Sequence, residues 1–139
     1  MTKLRIAGLN MDIVWKNKEE NFRTIENELS SVEADVYLLP EMFSTGFCME
    51  ADEVADKNLE TLTWMKKFAQ STKTAVAGSA SIEESGKFYN RFYFVFPDGN
   101  FEYHSIISFY HNEILIKMRQ RIDFYVKVSQ RTVKNNHNN

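Results

Sequence analysis

The chain has 139 residues, with 17 Lys+Arg against 19 Asp+Glu and a formal net charge of −2. Hydrophobic residues make up 43% and aromatic residues 14%, enough for the core of one domain and too much for a disordered chain. No apolar run approaches the roughly 18–20 residues of a membrane span, and the opening Met1-Thr2-Lys3-Leu4-Arg5 lacks a signal-peptide layout. Cys48 is the single cysteine, which excludes an internal disulfide and a cysteine-built zinc site. A cytoplasmic protein without a cofactor is the expectation.

Leu4 to Leu9 reads as a first strand, short and followed by polar punctuation. From Asn17 to Val32, Phe22, Ile25, Leu29 and Val32 recur in steps of 3, 4 and 3, one apolar stripe on a charged helix. Ala34 to Leu39 is apolar without strict alternation, which predicts a strand buried on both faces. Pro40 cannot donate to a ladder and ends it. A loop containing Gly46 comes next, then a second amphipathic helix with Leu59, Leu62, Met65 and Ala69 on one side. Thr74 to Ile82 is a strand of mostly small residues, and Phe88 to Phe96 a strongly aromatic one. Pro97-Asp98-Gly99-Asn100 then supplies turn chemistry before Phe101-Glu102-Tyr103. Strands alternating with helices predict βαβ units and a layered α/β fold.

After His104 the pattern weakens. Residues 105–139 hold six basic and two acidic residues, net +4, which leaves residues 1–104 with 11 basic against 17 acidic, net −6. A helix through Leu115, Met118, Ile122 and Tyr125 is only weakly specified there, and the end is Asn135-Asn136-His137-Asn138-Asn139. The expected division is therefore 1–104, a folded unit, and 105–139, an aberrant tail. A basic tail on an acidic body is one layout of a nucleic-acid arm. This tail has no glycine and no basic run, and no nucleic-acid motif accompanies it, so neither nucleic acid nor membrane is expected as a partner.

Glu41 stands directly after a buried strand, in Leu38-Leu39-Pro40-Glu41-Met42-Phe43. Open α/β sheets carry their reactive groups at the carboxyl ends of strands. A carboxylate among Pro, Met and Phe is desolvated, which raises its pKa and suits it to general-base work. The plainer alternative is a solvated glutamate at the start of a loop.

Leu38-Leu39-Pro40-Glu41-Met42-Phe43-Ser44-Thr45-Gly46-Phe47 resembles the catalytic-glutamate segment of the nitrilase (carbon-nitrogen hydrolase) superfamily, in its ω-amidase-like branch. The likeness continues through Trp64-Met65, Ala77-Gly78-Ser79, Tyr89-Asn90-Arg91-Phe92 and Pro97-Asp98-Gly99, from Leu4 to about His104. The resemblance implies an α-β-β-α sandwich, of which this chain would hold a truncated N-terminal portion, and pairing into homodimers if that portion folds. It also implies hydrolysis of small α-keto ω-amides to the acid and ammonia by a Glu-Lys-Cys triad acting through a thioester. Glu41 matches the general base.

The other two members do not match. The family's lysine falls where this chain has Ser105, which has no cation to hold an oxyanion, and the Cys-Tyr-Asp-type elbow that carries the nucleophile is not found in these residues. Cys48, seven residues after Glu41, reads as a small buried hydrophobe rather than a substitute. His104, His111 and His137 show no ligand spacing. Lys-His-His-Leu-Phe written AAG CAT CAT CTC TTT becomes Ser-Ile-Ile-Ser-Phe when read one base later, matching Ser105 to Phe109. A one-base shift near codon 105 is the expectation that accounts for the tail, and sequencing the coding DNA there tests it. An inactive hydrolase fragment is the first reading and a non-catalytic binding or regulatory module retaining half of the fold is the alternative. A sandwich without its remaining strands would also leave apolar sheet faces exposed.

Overall fold

The computed structural model describes residues 3–107. The tail from 108 onward, with the expected helix through Leu115 to Tyr125, His111 and His137, lies outside the described residues.

Strand β1 (Ile6–Gly8) leads through a long loop to helix α1 (Lys18–Leu29) and back to β2 (Val36–Leu38). A loop and one short helical turn, α2 (Ala51–Val54), precede α3 (Glu60–Thr72). Then come β3 (Ala75–Glu84), β4 (Lys87–Val95) and β5 (Phe101–Ile107). The five strands form one sheet in the order β1-β2-β3-β4-β5. β1, β2 and β3 are parallel, joined by α1 and α3 as βαβ crossovers, and β3, β4 and β5 form an antiparallel meander.

The local reasons are chemical. Asn17 caps α1, its side chain accepting from the Glu20 backbone N–H at 3.1 Å, and Glu19 and Glu20 stand in the first turn. Such a cap satisfies one orphan donor, and the acidic first turn suits the helix dipole. The helix stops at Leu29 rather than at Val32, which sits in the adjoining turn with its N–H bonded to the Leu29 carbonyl.

α3 begins after Leu59, whose left-handed φ of 58° takes it off the helical path, and so Leu59 is exposed instead of joining the apolar stripe. The helix buries Leu62, Met65, Phe68 and Ala69. β5 runs past Tyr103 to Ile107, three residues into the segment expected to lack pattern, because each of its residues finds a register partner on β4.

The core lies between the helices and one face of the sheet. Ile25 and Leu29 of α1 and Leu62, Met65, Phe68 and Ala69 of α3 meet Tyr37, Val76, Ala80, Ile82, Tyr93 and Val95 of the strands. Phe22 and Trp64 stack between the two helices with centroids 4.4 Å apart and planes 4° from parallel, and such aromatic pairs add to burial.

The expectation that β2 is buried on both faces holds for only one. Tyr37 faces the helices and is buried, whereas Leu38 on the other face is 42% exposed, alongside Ile6 at 49%. Alternation puts Ile6, Leu38, Phe92 and Phe94 on that face, and among the described residues no helix covers it.

Candidate active site

The segment after β2 continues the ladder for one residue, Leu39 N–H bonding the Ala77 carbonyl at 2.8 Å. Pro40 then ends the pairing. Glu41 comes next, at the carboxyl end of a parallel strand, and a tight turn closes behind it. Thr45 and Gly46 both donate to the Met42 carbonyl, at 3.2 and 2.8 Å. Met42 itself takes a φ of 51°, the left-handed region that a branch-free but bulky side chain enters at a cost of order 1 kcal/mol.

Three neighbours hold this strained turn in place. From β3, the Ser79 hydroxyl accepts from the Met42 N–H at 3.0 Å. From α1, the fully buried Asn21 donates to the Ser44 carbonyl at 2.9 Å and exchanges hydrogen bonds with Val14 in both directions at 2.8 Å. From the loop before α1, Lys16 N–H donates to the Thr45 carbonyl at 2.8 Å. The loop between β1 and α1 and the loop after β2 are thereby one hydrogen-bonded unit.

Beneath the turn, Phe43 is fully buried and lies against Gly78. A Cβ at Gly78 would come within 2.8 Å of the Phe43 ring and 3.0 Å of the Leu39 Cβ. Gly78→Ala is therefore expected to destabilise the fold by about 1–3 kcal/mol, the usual cost of overpacking, and to displace the Glu41 turn. Chemical denaturation checks the first effect, and a change in hydrogen exchange at Met42 and Gly46 the second.

Glu41 is half-buried, and its carboxylate accepts a hydrogen bond from Asn90 Nδ2 at 3.2 Å. Burial pushes its pKa above the ordinary glutamate value, and the Asn90 hydrogen bond opposes that rise. Removing water from a carboxylate disfavours its charged form, which is the setting of a general base.

Ser105 stands elsewhere. It is the register partner of Arg91, whose Nε donates to the Ser105 hydroxyl at 2.6 Å. Arg91 is the residue directly after Asn90, so Ser105 and Arg91 occupy the sheet face opposite Asn90 and Glu41. Arg91 is buried there between Glu84 and the Tyr103 ring.

Cys48 is a correction. It is half-exposed rather than a buried hydrophobe, because its thiol donates to the Glu50 carboxylate at 3.4 Å and is drawn to the loop surface. Partial burial and then Glu50 push its pKa up, away from the thiolate a nucleophile needs. Among the described residues no cluster of three His, Cys, Asp or Glu could hold a metal ion, and no helix is long and apolar enough to cross a membrane. Of the residues around Glu41, sequence reasoning gave no role to Ser79, Asn90 or Asn21. For Ser79 and Asn90 the signal available was a polar side chain inside a small-residue or aromatic strand; Asn21, in a charged helix, carried none.

With this arrangement in view, comparison with known proteins defines the class. The family model for carbon-nitrogen hydrolases matches residues 3–133. The chain belongs to the carbon-nitrogen hydrolase family. It is 35% identical over 100 residues to an omega-amidase, YafV of Yersinia enterocolitica, covering 71% of this chain and 39% of that protein. It is 33% identical over 102 residues to the 2-oxoglutaramate amidase of Bacillus subtilis, covering 70% of this chain and 39% of that one. The solved structure of XC1258 from Xanthomonas campestris, a CN-hydrolase superfamily protein with an arsenic adduct in its active site, superposes with a TM-score of 0.69 at 27% identity. That superposition covers 76% of this chain and 41% of XC1258. The chain thus spans about two fifths of the length of these relatives, and its five-stranded sheet is the N-terminal portion of the nitrilase-type fold.

Proposed function

We propose that this chain is the glutamate-bearing N-terminal part of an ω-amidase-like hydrolase, and that Glu41 is its general base. The observation that supports this most directly is the Glu41 carboxylate, desolvated at the end of a parallel strand and held by Asn90. The substrate class is a small α-keto ω-amide, as the omega-amidase and 2-oxoglutaramate amidase relatives suggest.

In the reaction proposed, Glu41 takes the proton of a nucleophilic thiol and passes it to departing ammonia. It then takes a proton from the water that opens the thioester. The oxyanion formed at each step needs a cation, and Ser105, where the family's lysine is expected, has none to give. The reading carries with it a truncated, cytoplasmic chain, inactive by itself, with a small amide as substrate of the whole enzyme. It expects neither nucleic acid nor membrane as partner, and pairing as a homodimer if the portion folds. Residues 1–104 are read as the hydrolase portion and residues 105–139 as an aberrant tail, read out of frame.

The 139-residue chain is therefore expected to release no ammonia above background from 2-oxoglutaramate, in a coupled glutamate dehydrogenase assay. Turnover that disappears in Cys48→Ala would overturn this. Sequencing the coding DNA across codons 100–110 and several hundred bases beyond tests the origin of the tail. A second frame restoring lysine at 105 and a downstream cysteine elbow supports truncation by frame shift, and its absence in every frame refutes it.

A further inference from the structure

Glu41 lies 49 residues before Asn90 in the chain, and the β3–β4 pairing brings them together. Asn90 is the register partner of Ser81, and Ser79 stands two residues earlier on the same strand. Alternation therefore points Ser79, Ser81 and Asn90 to one face of the antiparallel pair. All three are buried, at 2%, 6% and 3% exposure. Ser79 takes the Met42 N–H on one side of the Glu41 peptide, and the Asn90 amide meets the carboxylate itself. An ionised carboxylate only accepts hydrogen bonds, so the contact fixes the amide with its NH2 towards Glu41.

On the reading that Glu41 is the general base, we propose that Asn90 is its positioning residue. Nδ2 keeps Oε1 engaged as a constant acceptor, so that the proton Glu41 gains and loses is carried on Oε2. A carboxyl group free to turn about its last torsion presents either oxygen. One pinned by a buried amide presents one, and general-base catalysis needs that geometry before it needs the right pKa. Because Asn90 lies in the middle of β4, its own position is set by ladder hydrogen bonds on both sides, to β3 and β5. The hold on Glu41 is thus as rigid as the sheet.

Among the described residues, no charged side chain contributes to the Glu41 shift; burial and Asn90 are its causes. Removing the donor therefore leaves burial unopposed. The test tracks the Glu41 carboxyl in the full 139-residue chain by carbodiimide–amine labelling across pH. Peptide mass spectrometry localises the label to Glu41. This readout needs no turnover.

The labelling midpoint of Glu41 is expected above the ordinary glutamate value, and to move higher still in Asn90→Leu. In Asn90→Asp, which keeps the size of the side chain but sets a second carboxylate against the first, it should rise as well. Asn90→Gln keeps a donor and is expected to return the midpoint towards the starting value. A midpoint unchanged in both Asn90→Leu and Asn90→Asp, with far-UV circular dichroism preserved, would overturn the proposal. If Asn90→Leu fails to fold, Asn90→Asp decides alone. The general-base reading fails by a different result: undiminished activity of Glu41→Gln in a complete enzyme, whatever the labelling shows.

Discussion

Asp56→Ala is expected to cost about 3 kcal/mol or more of folding stability, the scale on which a buried ion pair broken from one side is felt. Asp56 is 1% exposed and belongs to the connection between α2 and α3. Its Oδ2 accepts from the Thr61 N–H at 2.8 Å, capping α3, and its Oδ1 lies 2.5 Å from Lys18 Nζ at the start of α1. Its backbone bridges to β3, taking Glu83 N–H at 2.9 Å and giving its own N–H to Ser81 at 2.8 Å. One residue therefore ties both crossover helices, through its side chain, to the central strand, through its backbone. Truncation leaves the Thr61 N–H buried without its acceptor, which is a desolvation penalty in itself. Lys18 keeps a quarter of its side chain in solvent, so its charge is partly rehydrated and the loss stays near the lower end of the 3–5 kcal/mol range. Asp56→Asn keeps an acceptor for Thr61 and loses only the charge, and should fall between. Urea denaturation with an unchanged m-value reads both. A loss below about 1 kcal/mol for Asp56→Ala, the scale of a surface substitution, would show that the contact does not organise the fold.

Legibility in the sequence tracks the range of the interaction. Asn17 and Glu20 lie within one helical turn, and the apolar stripe Phe22, Ile25 and Leu29 is a local pattern, so α1 was legible to within three residues. Glu41 was legible because a strand that ends in proline delivers its next residue to the end of the sheet. The start of α3 was misplaced, because its cap comes from Asp56 through a left-handed Leu59 and no spacing rule marks either. Ser79 and Asn90 gained no role from sequence because that role lies in the β3–β4 register, 37 and 49 residues from the partners they hold. Leu38 looked buried on both sides because apolar residues run through 34–39 without strict alternation; among the described residues the helices cover one face.

Glu41→Gln should act in opposite directions on activity and on stability. In an enzyme carrying the whole triad, removing the base is expected to lower kcat by about 10²–10⁴-fold, the usual yield of general acid–base catalysis. In this chain the same substitution should stabilise the fold at neutral pH. The folded-state pKa of Glu41 lies above its ordinary value because burial disfavours the charge. The native state thus binds that proton more tightly than the unfolded chain, and stability falls as pH rises from the ordinary glutamate value through the raised one. Glutamine has no charge to desolvate, and its carbonyl still accepts from Asn90. Its advantage should therefore be full above the raised pKa and should close as pH falls towards about 4, the ordinary glutamate value. Denaturation midpoints of the two proteins at pH 7 and near pH 4 measure that gap. A glutamine variant less stable at pH 7 than at acid pH, relative to the parent, would show that the carboxylate is welcome where it stands. Its desolvation would then serve no chemistry. A gap of the expected sign marks a charge kept at the expense of the fold, which is how a catalytic carboxylate differs from a structural one.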